Sequence, residues 1–198
     1  MEVLISVAIL AILLLILIPA VTKGKEMAYS AACTSNLRNI GSIIRLYVAE
    51  NNGFLPPGRS QNTQTLQIKG WYSDNSWLEP YVDGGWKVNS KIRRCPADKT
   101  AKTPGYASNL YYLQDWNDGK PQTIPVYAGY VRAETATRKI LMADAMKTPT
   151  GIFQYGSIKT DLSKRHQGRA NCLFGDGSVQ LLHPENEITG DMYVFPKK

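Results

Sequence analysis

The sequence predicts an α+β fold, in which a long N-terminal helix packs its second half on a small antiparallel sheet and leaves its apolar first half protruding. Three observations support this. Residues 3–21 are apolar except for Ser6 and Pro19, a one-sided apolar stripe follows them, and the remaining chain combines turns with short strand-like runs. The length of 198 residues suits one domain with an appendage, and 43% hydrophobic content excludes general disorder.

The apolar run predicts a membrane-competent helix over residues 1–22. Its 3–21 stretch would extend about 28 Å as a helix, enough to cross a bilayer core. Lys23 and Lys25 follow as the polar stop typical of an interface. A signal peptide is the alternative, but no basic region precedes the run, which is longer than a usual signal core.

Two residues are unusual in a simple membrane anchor, namely the carboxylate Glu2 and the proline Pro19. A charge near an apolar environment is costly without a partner, so Glu2 is a candidate functional residue. The alternative is that Glu2 lies in the headgroup region. Pro19 removes a backbone donor and is a candidate point of helix bending.

The helical pattern continues over residues 23–52 as an amphipathic segment. Apolar residues recur there at steps of three and four, as expected for one face of a helix. The helix is expected to stop at the Asn51-Asn52-Gly53 sequence. The predicted buried stripe consists of Cys33, Leu37, Ile40, Ile44, Tyr47 and Val48.

Residues 53–198 form the predicted globular α+β head. Gly175-Asp176-Gly177 separates the last two of its strand-like runs, a sequence that favours a tight hairpin turn. The Asp-Gly pair therefore has a structural explanation. The predicted strands are 88–93, 137–142, 151–158, 171–174 and 178–182.

Charge and motif content argue against two classes of function. The net charge is +7, but the basic residues are scattered rather than clustered, which does not favour nucleic-acid binding. No set of residues has the spacing of a catalytic triad or a metal centre. We therefore predict a protein that is not an enzyme, with no catalytic residues and no bound metal.

The three cysteines, Cys33, Cys95 and Cys172, are too far apart in sequence for a zinc knuckle or a redox CxxC pair. If the head lies outside the cytoplasm, their number predicts one disulfide and one free thiol. The spacing by itself leaves the pairing open.

Three separated motifs together resemble a known family. They are the N-terminal helix, the Cys95-Pro-Ala-Asp sequence, and His166 followed by nine residues and Asp176-Gly177. The helix motif consists of Glu2, the apolar run to Pro19, and an amphipathic continuation that contains Cys33-Thr-Ser-Asn-Leu-Arg-Asn-Ile-Gly. The chain resembles the type IV pilin-like and type II secretion pseudopilin-like proteins. Within these it is most similar to the bacterial group with a prepilin-type N-terminus and a C-terminal His-x9-Asp-Gly motif. In that family a short basic leader precedes the glutamate, so we expect the natural chain to begin upstream of Met1.

The resemblance implies a structural subunit of a helical extracellular filament, with many copies assembled through the N-terminal helix. Such subunits stay in the bacterial inner membrane before assembly, reach the cell surface afterwards, and need assembly platform proteins. Glu2 would neutralise the N-terminal ammonium of a neighbouring subunit, and the helix would loosen at Pro19 as subunits pack. The alternative is a minor pilin, adhesin or DNA-uptake pilin whose basic head binds a ligand.

The resemblance also assigns roles in the head. Cys33 and Cys95 lie in motifs that the family shares, whereas Cys172 lies in a hairpin strand at a position that the family does not usually give to cysteine, so the resemblance implies a Cys33–Cys95 disulfide. His166, Asp176 and Gly177 are expected to be structural. We expect a head without cofactors. Calcium is the alternative, because calcium-stabilised loops occur in related pseudopilins. No EF-hand spacing in the sequence identifies the ligands of such an ion. The aspartates in or near predicted turns are Asp74, Asp98, Asp115, Asp118, Asp144 and Asp176.

Overall fold

A computed structural model of the protein describes residues 2–56, 59–61, 68–70, 76–86, 90–98, 105–109, 131–146, 152–153 and 158–192. Within these residues one long helix packs on a five-stranded sheet, so the predicted α+β layout is confirmed. Three of the aspartates in or near predicted turns, Asp74, Asp115 and Asp118, lie outside the described residues.

The long helix, α1, spans Glu2–Glu50 and is continuous through Pro19. It ends two residues before the predicted boundary, because Asn52 and Gly53 take positive φ angles of 52° and 82°. The Gly53 N–H donates to the carbonyl of Val48 at 2.9 Å, which satisfies an end carbonyl in the usual manner of a glycine-terminated helix.

The second half of α1 is docked on the head through the predicted stripe. Cys33, Leu37, Ile40 and Ile44 are buried, and Tyr47 and Val48 pack at the margin. Gly41 lies on the same side, where a Cβ atom would come within 3.0 Å of Leu173 Cδ1. The glycine thus allows the helix to approach the sheet closely.

The sheet is antiparallel over four strands and has one parallel edge strand. Its strand order is β5-β3-β4-β6-β7. The parallel pairing of β5 with β3 adds an edge strand to the predicted antiparallel sheet. A separate antiparallel pair contains β1 (Arg59–Gln61) and β2 (Ile68–Gly70). The sheet strands are β3 (Tyr106–Asn109), β4 (Ile140–Asp144), β5 (Ile152–Phe153), β6 (Ala170–Phe174) and β7 (Val179–Leu182).

Two apolar clusters lie against the sheet. One contains the docked face of α1, Trp86 and Leu173, and the other contains Ile140, Leu162 and Phe174. A short helix, α2 (Ile158–Asp161), comes directly before Leu162, which belongs to the second cluster. Short 3-10 turns occur at Glu79–Tyr81, Lys91–Arg93, Ala133–Ala136 and Gly190–Met192.

The predicted strand 88–93 is wrong where the structure describes it, because Lys91–Arg93 form a 3-10 turn. The Asn36 amide donates to the carbonyls of Lys91 and Arg94 at 3.4 and 3.1 Å, which fastens this segment to α1. The buried Arg93 also donates to the carbonyl of Trp86 and lies over its ring. In this segment, these contacts take the place of the backbone hydrogen bonds that a strand would make with a neighbouring strand.

The other strand predictions are correct in place but not always in extent. The hairpin of β6 and β7 is confirmed, with Gly177 at a φ of 79° in its turn. Strand β4 begins at Ile140, because residues 137–139 form a turn after Ala133–Ala136. Of the predicted strand 151–158, the structure shows Ile152–Phe153 as strand and places residue 158 in α2, and the remaining residues lie outside those described.

Candidate functional site

The first half of α1 presents a continuous apolar surface. Every residue over 3–28 is exposed, and the side chains of Val3, Ile9 and Ile18 are 75%, 53% and 63% exposed. Among the described residues, α1 is the one helix long and apolar enough to cross a membrane. A surface this apolar requires a lipid or protein environment, because water solvates it poorly.

Glu2 and Pro19 both belong to this exposed half. Glu2 lies in the first helical turn, and its backbone carbonyl accepts a hydrogen bond from the Ser6 hydroxyl at 2.9 Å. Pro19 has no N–H to donate, so the carbonyl of Leu15 lacks its usual helical partner. The pairing role of Glu2 and the loosening role of Pro19 stay predictions.

The predicted disulfide between Cys33 and Cys95 is present. It joins α1 to the loop after Lys91–Arg93, with the two Cα atoms 5.3 Å apart and the two residues separated by 62 positions in sequence. Both residues are buried. Cys172 is free and also buried. The disulfide therefore anchors the docked half of α1 in the head.

His166 contacts the disulfide and a buried carboxylate with the same ring nitrogen. Its Nε2 lies 3.2 Å from Asp144 Oδ2 and 3.3 Å from Cys95 Sγ. Asp144 is the last residue of β4, and His166 precedes β6 in a tight turn that has positive φ at Gln167 and Gly168. The first residue of the His-x9-Asp-Gly motif thus lies in the protein interior.

Asn171 on β6 also binds the Asp144 carboxylate. Its backbone N–H and its side-chain Nδ2 both donate to Asp144 Oδ2 at 2.9 Å. The hydroxyl of Thr34, the residue after Cys33 on α1, donates to Asn171 Oδ1 at 2.9 Å. We call Cys33, Cys95, Asp144 and His166, with these two supporting residues, the buried cluster.

A second charged pair lies next to the buried cluster. Arg165 Nη2 lies 3.3 Å from Asp98 Oδ2, and the same nitrogen donates to the carbonyl of Ala145. Asp98 closes the Cys-Pro-Ala-Asp sequence, so this pair ties that loop to the residue before His166. Of the aspartates considered for calcium, Asp98, Asp144 and Asp176 therefore already have protein partners in the structure.

Burial controls the titration of two side chains near Asp144. Burial, followed by the negative charge of Asp144, raises the pKa of the Cys172 thiol well above its ordinary value. The same two causes, in the same order, raise the pKa of the Tyr106 hydroxyl. Both side chains are therefore neutral at physiological pH. The thiol of Cys172 is accordingly a poor nucleophile.

Asp176 and Gly177 serve the hairpin and its contact with α1. The Ser178 N–H donates to Asp176 Oδ1 at 2.8 Å, and Arg45 donates to the Asp176 carbonyl at 3.1 Å. Hydrogen bonding from Ser178 lowers the pKa of the Asp176 carboxyl, with a smaller contribution from Arg45. A Cβ atom at Gly177 would lie 1.6 Å from Arg45 Nη2, so a side chain here would displace the arginine.

Gly177→Ala is expected to lower the free energy of unfolding by about 1–2 kcal/mol, because alanine is strained at positive φ. Gly84→Ala is the matched control, since Gly84 has a φ of 80° and, apart from its chain neighbours, no atom of the described residues lies within 4 Å of the position that a Cβ would take there. We expect the larger loss at Gly177, where Arg45 must also move. Urea unfolding measures both, and equal losses would contradict the role of the Arg45 contact.

Comparisons with protein-family models, curated proteins and solved structures find no match to this chain.

The structure brings together some of the predicted site residues and separates others. Cys33, Cys95 and His166 meet in the buried cluster, whereas Asp176 and Gly177 lie at the hairpin turn against Arg45. Glu2 and Pro19 lie on the exposed half of α1, where the described head makes no contact that buries them.

Three residues of the buried cluster had no predicted role in it. Thr34 and Asn171 lie inside two of the three motifs that resemble the pilin-like family, so the motifs could have indicated that these residues have a role. Asp144 was considered only as a turn aspartate for calcium, but it lies in β4 and is completely buried. A buried carboxylate at the end of an apolar strand is the feature that could have singled it out.

Proposed function

We propose that the chain is a structural, non-enzymatic subunit of a helical extracellular filament, of the type IV pilus-like or type II secretion pseudopilus-like kind. One observation carries the proposal. The exposed half of α1 is apolar on all sides and continues without a break into the half held by the head. An all-round apolar helix is covered completely only by lipid or by several other helices.

The resemblance of the sequence motifs to pilin-like proteins supports the multi-helix environment. In this proposal, lipid covers the exposed half in the bacterial inner membrane before assembly, and the same halves of neighbouring subunits cover it in the filament. Assembly platform proteins would transfer subunits between these states. The disulfide supports the proposal mechanically, because it ties the docked half of α1 to the head and so fixes where the apolar half emerges.

Glu2 provides the electrostatic part of the proposal. It is the one carboxylate in the first half of α1 before Lys23. In a bundle of apolar helices, a buried carboxylate requires a compensating cation. The N-terminal ammonium of a neighbouring subunit is the cation that the bundle itself can supply. Pairing of this kind would also fix the axial position of one subunit against the next.

Glu2→Ala is expected to reduce filament yield by at least about tenfold, because it leaves a neighbouring ammonium unpaired in an apolar bundle, at a cost of about 3 kcal/mol. Filaments are counted by electron microscopy of material sheared from cells, and membrane-held subunits are measured in the same cells. Glu26→Ala is the matched control, since Glu26 is an exposed carboxylate beyond the apolar run of the same helix. Normal filament yield from Glu2→Ala would contradict the pairing.

A membrane-anchored head that never assembles is the competing outcome of this experiment. It predicts that both glutamate variants leave the subunits in the membrane fraction and that no filament appears with the unsubstituted chain. Filaments that contain the chain would exclude it. Their absence under expression with a complete assembly system would reject the proposed function.

A further inference from the structure

The buried cluster contains a complete set of ligand atoms for one metal ion. The Sγ atoms of Cys33 and Cys95, an oxygen of Asp144 and a nitrogen of His166 all lie within 4.8 Å of one another. The four residues come from α1, the loop after Lys91–Arg93, β4 and the turn before β6. They are therefore far apart in sequence, which is why cysteine spacing indicated no metal site.

Two of the distances between these ligand atoms are a few tenths of an ångström shorter than those in a tetrahedral zinc site. Bonds of about 2.3 Å to sulfur and about 2.1 Å to nitrogen or oxygen place neighbouring ligand atoms roughly 3.3–3.8 Å apart. His166 Nε2 lies 3.3 Å from Cys95 Sγ and 3.2 Å from Asp144 Oδ2. The two sulfur atoms, bonded in the oxidised protein, would need to separate to about 3.7 Å after reduction.

We propose that reduction of the Cys33–Cys95 disulfide converts the buried cluster into a tetrahedral site for Zn²⁺, with Cys33, Cys95, Asp144 and His166 as its ligands. The segment between Cys33 and Cys95 can then be closed into a loop in two ways. The disulfide closes it under oxidising conditions, and the metal closes it under reducing conditions. The proposal does not depend on filament assembly.

The surroundings of Asp144 and His166 support the site. Asp144 Oδ1 is buried and has no hydrogen-bond partner among the described residues. An unpaired carboxylate oxygen is costly to bury, and a cation within the cluster would offset that cost. Asn171 donates two hydrogen bonds to Asp144, and Thr34 orients Asn171, as outer residues do around metal-binding carboxylates.

The chemistry balances with a named reductant. A water-soluble phosphine transfers two electrons to the disulfide, its phosphorus takes the oxygen of one water molecule, and the two protons of that water go to the two sulfurs. Zn²⁺ then binds both sulfurs as thiolates and releases those two protons to solvent. Histidine binds through its neutral ring and aspartate as the carboxylate. Cys172 takes no part, because its thiol lies on β6 and contacts the carbonyl of Ala170.

The test uses the full chain in detergent micelles, reduced with the phosphine and titrated with Co²⁺ as a spectroscopic probe. We expect one Co²⁺ per chain, with the visible bands of tetrahedral cobalt and a thiolate charge-transfer band, both lost when Zn²⁺ is added. Without the phosphine, neither band should appear. If reduction unfolds the head, Co²⁺ or Zn²⁺ should restore its tryptophan fluorescence.

Variants separate this site from adventitious binding. Asp144→Asn and His166→Gln should weaken Co²⁺ binding to the reduced chain at least about tenfold, and Thr34→Val should weaken it less. Cys172→Ala is the matched control and should leave the spectrum unchanged. The proposal is overturned if the reduced chain shows no thiolate–cobalt band, if Asp144→Asn and His166→Gln both bind as the unsubstituted chain does, or if Cys172→Ala abolishes binding.

Discussion

Deletion of residues 1–22 is expected to convert the protein from a membrane-held or assembled form into a soluble monomer with a folded head. The reason is the amount of apolar surface removed. Each large side chain in the exposed half of α1 contributes about 1.5 kcal/mol or more when it leaves water, so together they contribute on the order of 20 kcal/mol. This exceeds the roughly 5–15 kcal/mol that stabilises a whole domain.

The same deletion should leave the head unchanged. The first buried residue of α1 is Cys33, so the shortened chain keeps about three helical turns before it and retains the Cys33–Cys95 disulfide. Sedimentation velocity without detergent measures the assembly state, and urea unfolding followed by tryptophan fluorescence measures the head. Trp86 is fully buried against Arg93 and reports on that region.

A full-length variant with Leu10→Asp and Leu14→Asp is the control for chain length. It keeps the helix residues but places charges where lipid or neighbouring helices would bury them. We expect it to lose membrane partition and filament incorporation, as the deletion does. A shortened chain that still aggregates through its head, or a full chain that is monomeric in plain buffer, would contradict the role of the apolar half.

The features that the sequence predicted correctly depend on local order. The burial of Leu37, Ile40 and Ile44 follows from helical periodicity over one continuous segment, and the hairpin follows from the glycines that flank Asp176. Such signals need no knowledge of the rest of the fold. The disulfide was predicted on a different ground, namely the motifs that Cys33 and Cys95 share with the pilin-like family.

The features that were wrong or missed depend on long-range pairing. Asp144 reaches His166 and Asn171 because β4 pairs with β6, with Ala143 opposite Cys172, and no local pattern specifies that register. The segment before Cys95 was predicted to be a strand, but its described part forms a 3-10 turn, where the side chain of Asn36 on α1 donates to its carbonyls. Tertiary contacts here override local preference.

Loss of the disulfide should be the largest single effect on the stability of the head. We expect the Cys33→Ala/Cys95→Ala double variant to lose about 4 kcal/mol, because the bond closes a long loop and limits the freedom of the unfolded chain. The measured loss should exceed this slightly, since the alanines also leave unfilled volume beside Trp86 and Leu37. Urea unfolding of the full chain in micelles provides the measurement.

Cys172→Ala is the matched control, because Cys172 is equally buried but unbonded. It removes one sulfur from the second apolar cluster and should lower the free energy of unfolding by about 1 kcal/mol.

Treating the unsubstituted chain with phosphine in the presence of a metal chelator should bring its free energy of unfolding close to that of the double variant. Thiol alkylation after unfolding, without reductant, should label Cys172 alone. Labelling of Cys33 and Cys95 in the oxidised protein would contradict the disulfide. A loss below about 1 kcal/mol in the double variant would show that the apolar clusters hold the head, rather than the bond between α1 and the Cys95 loop.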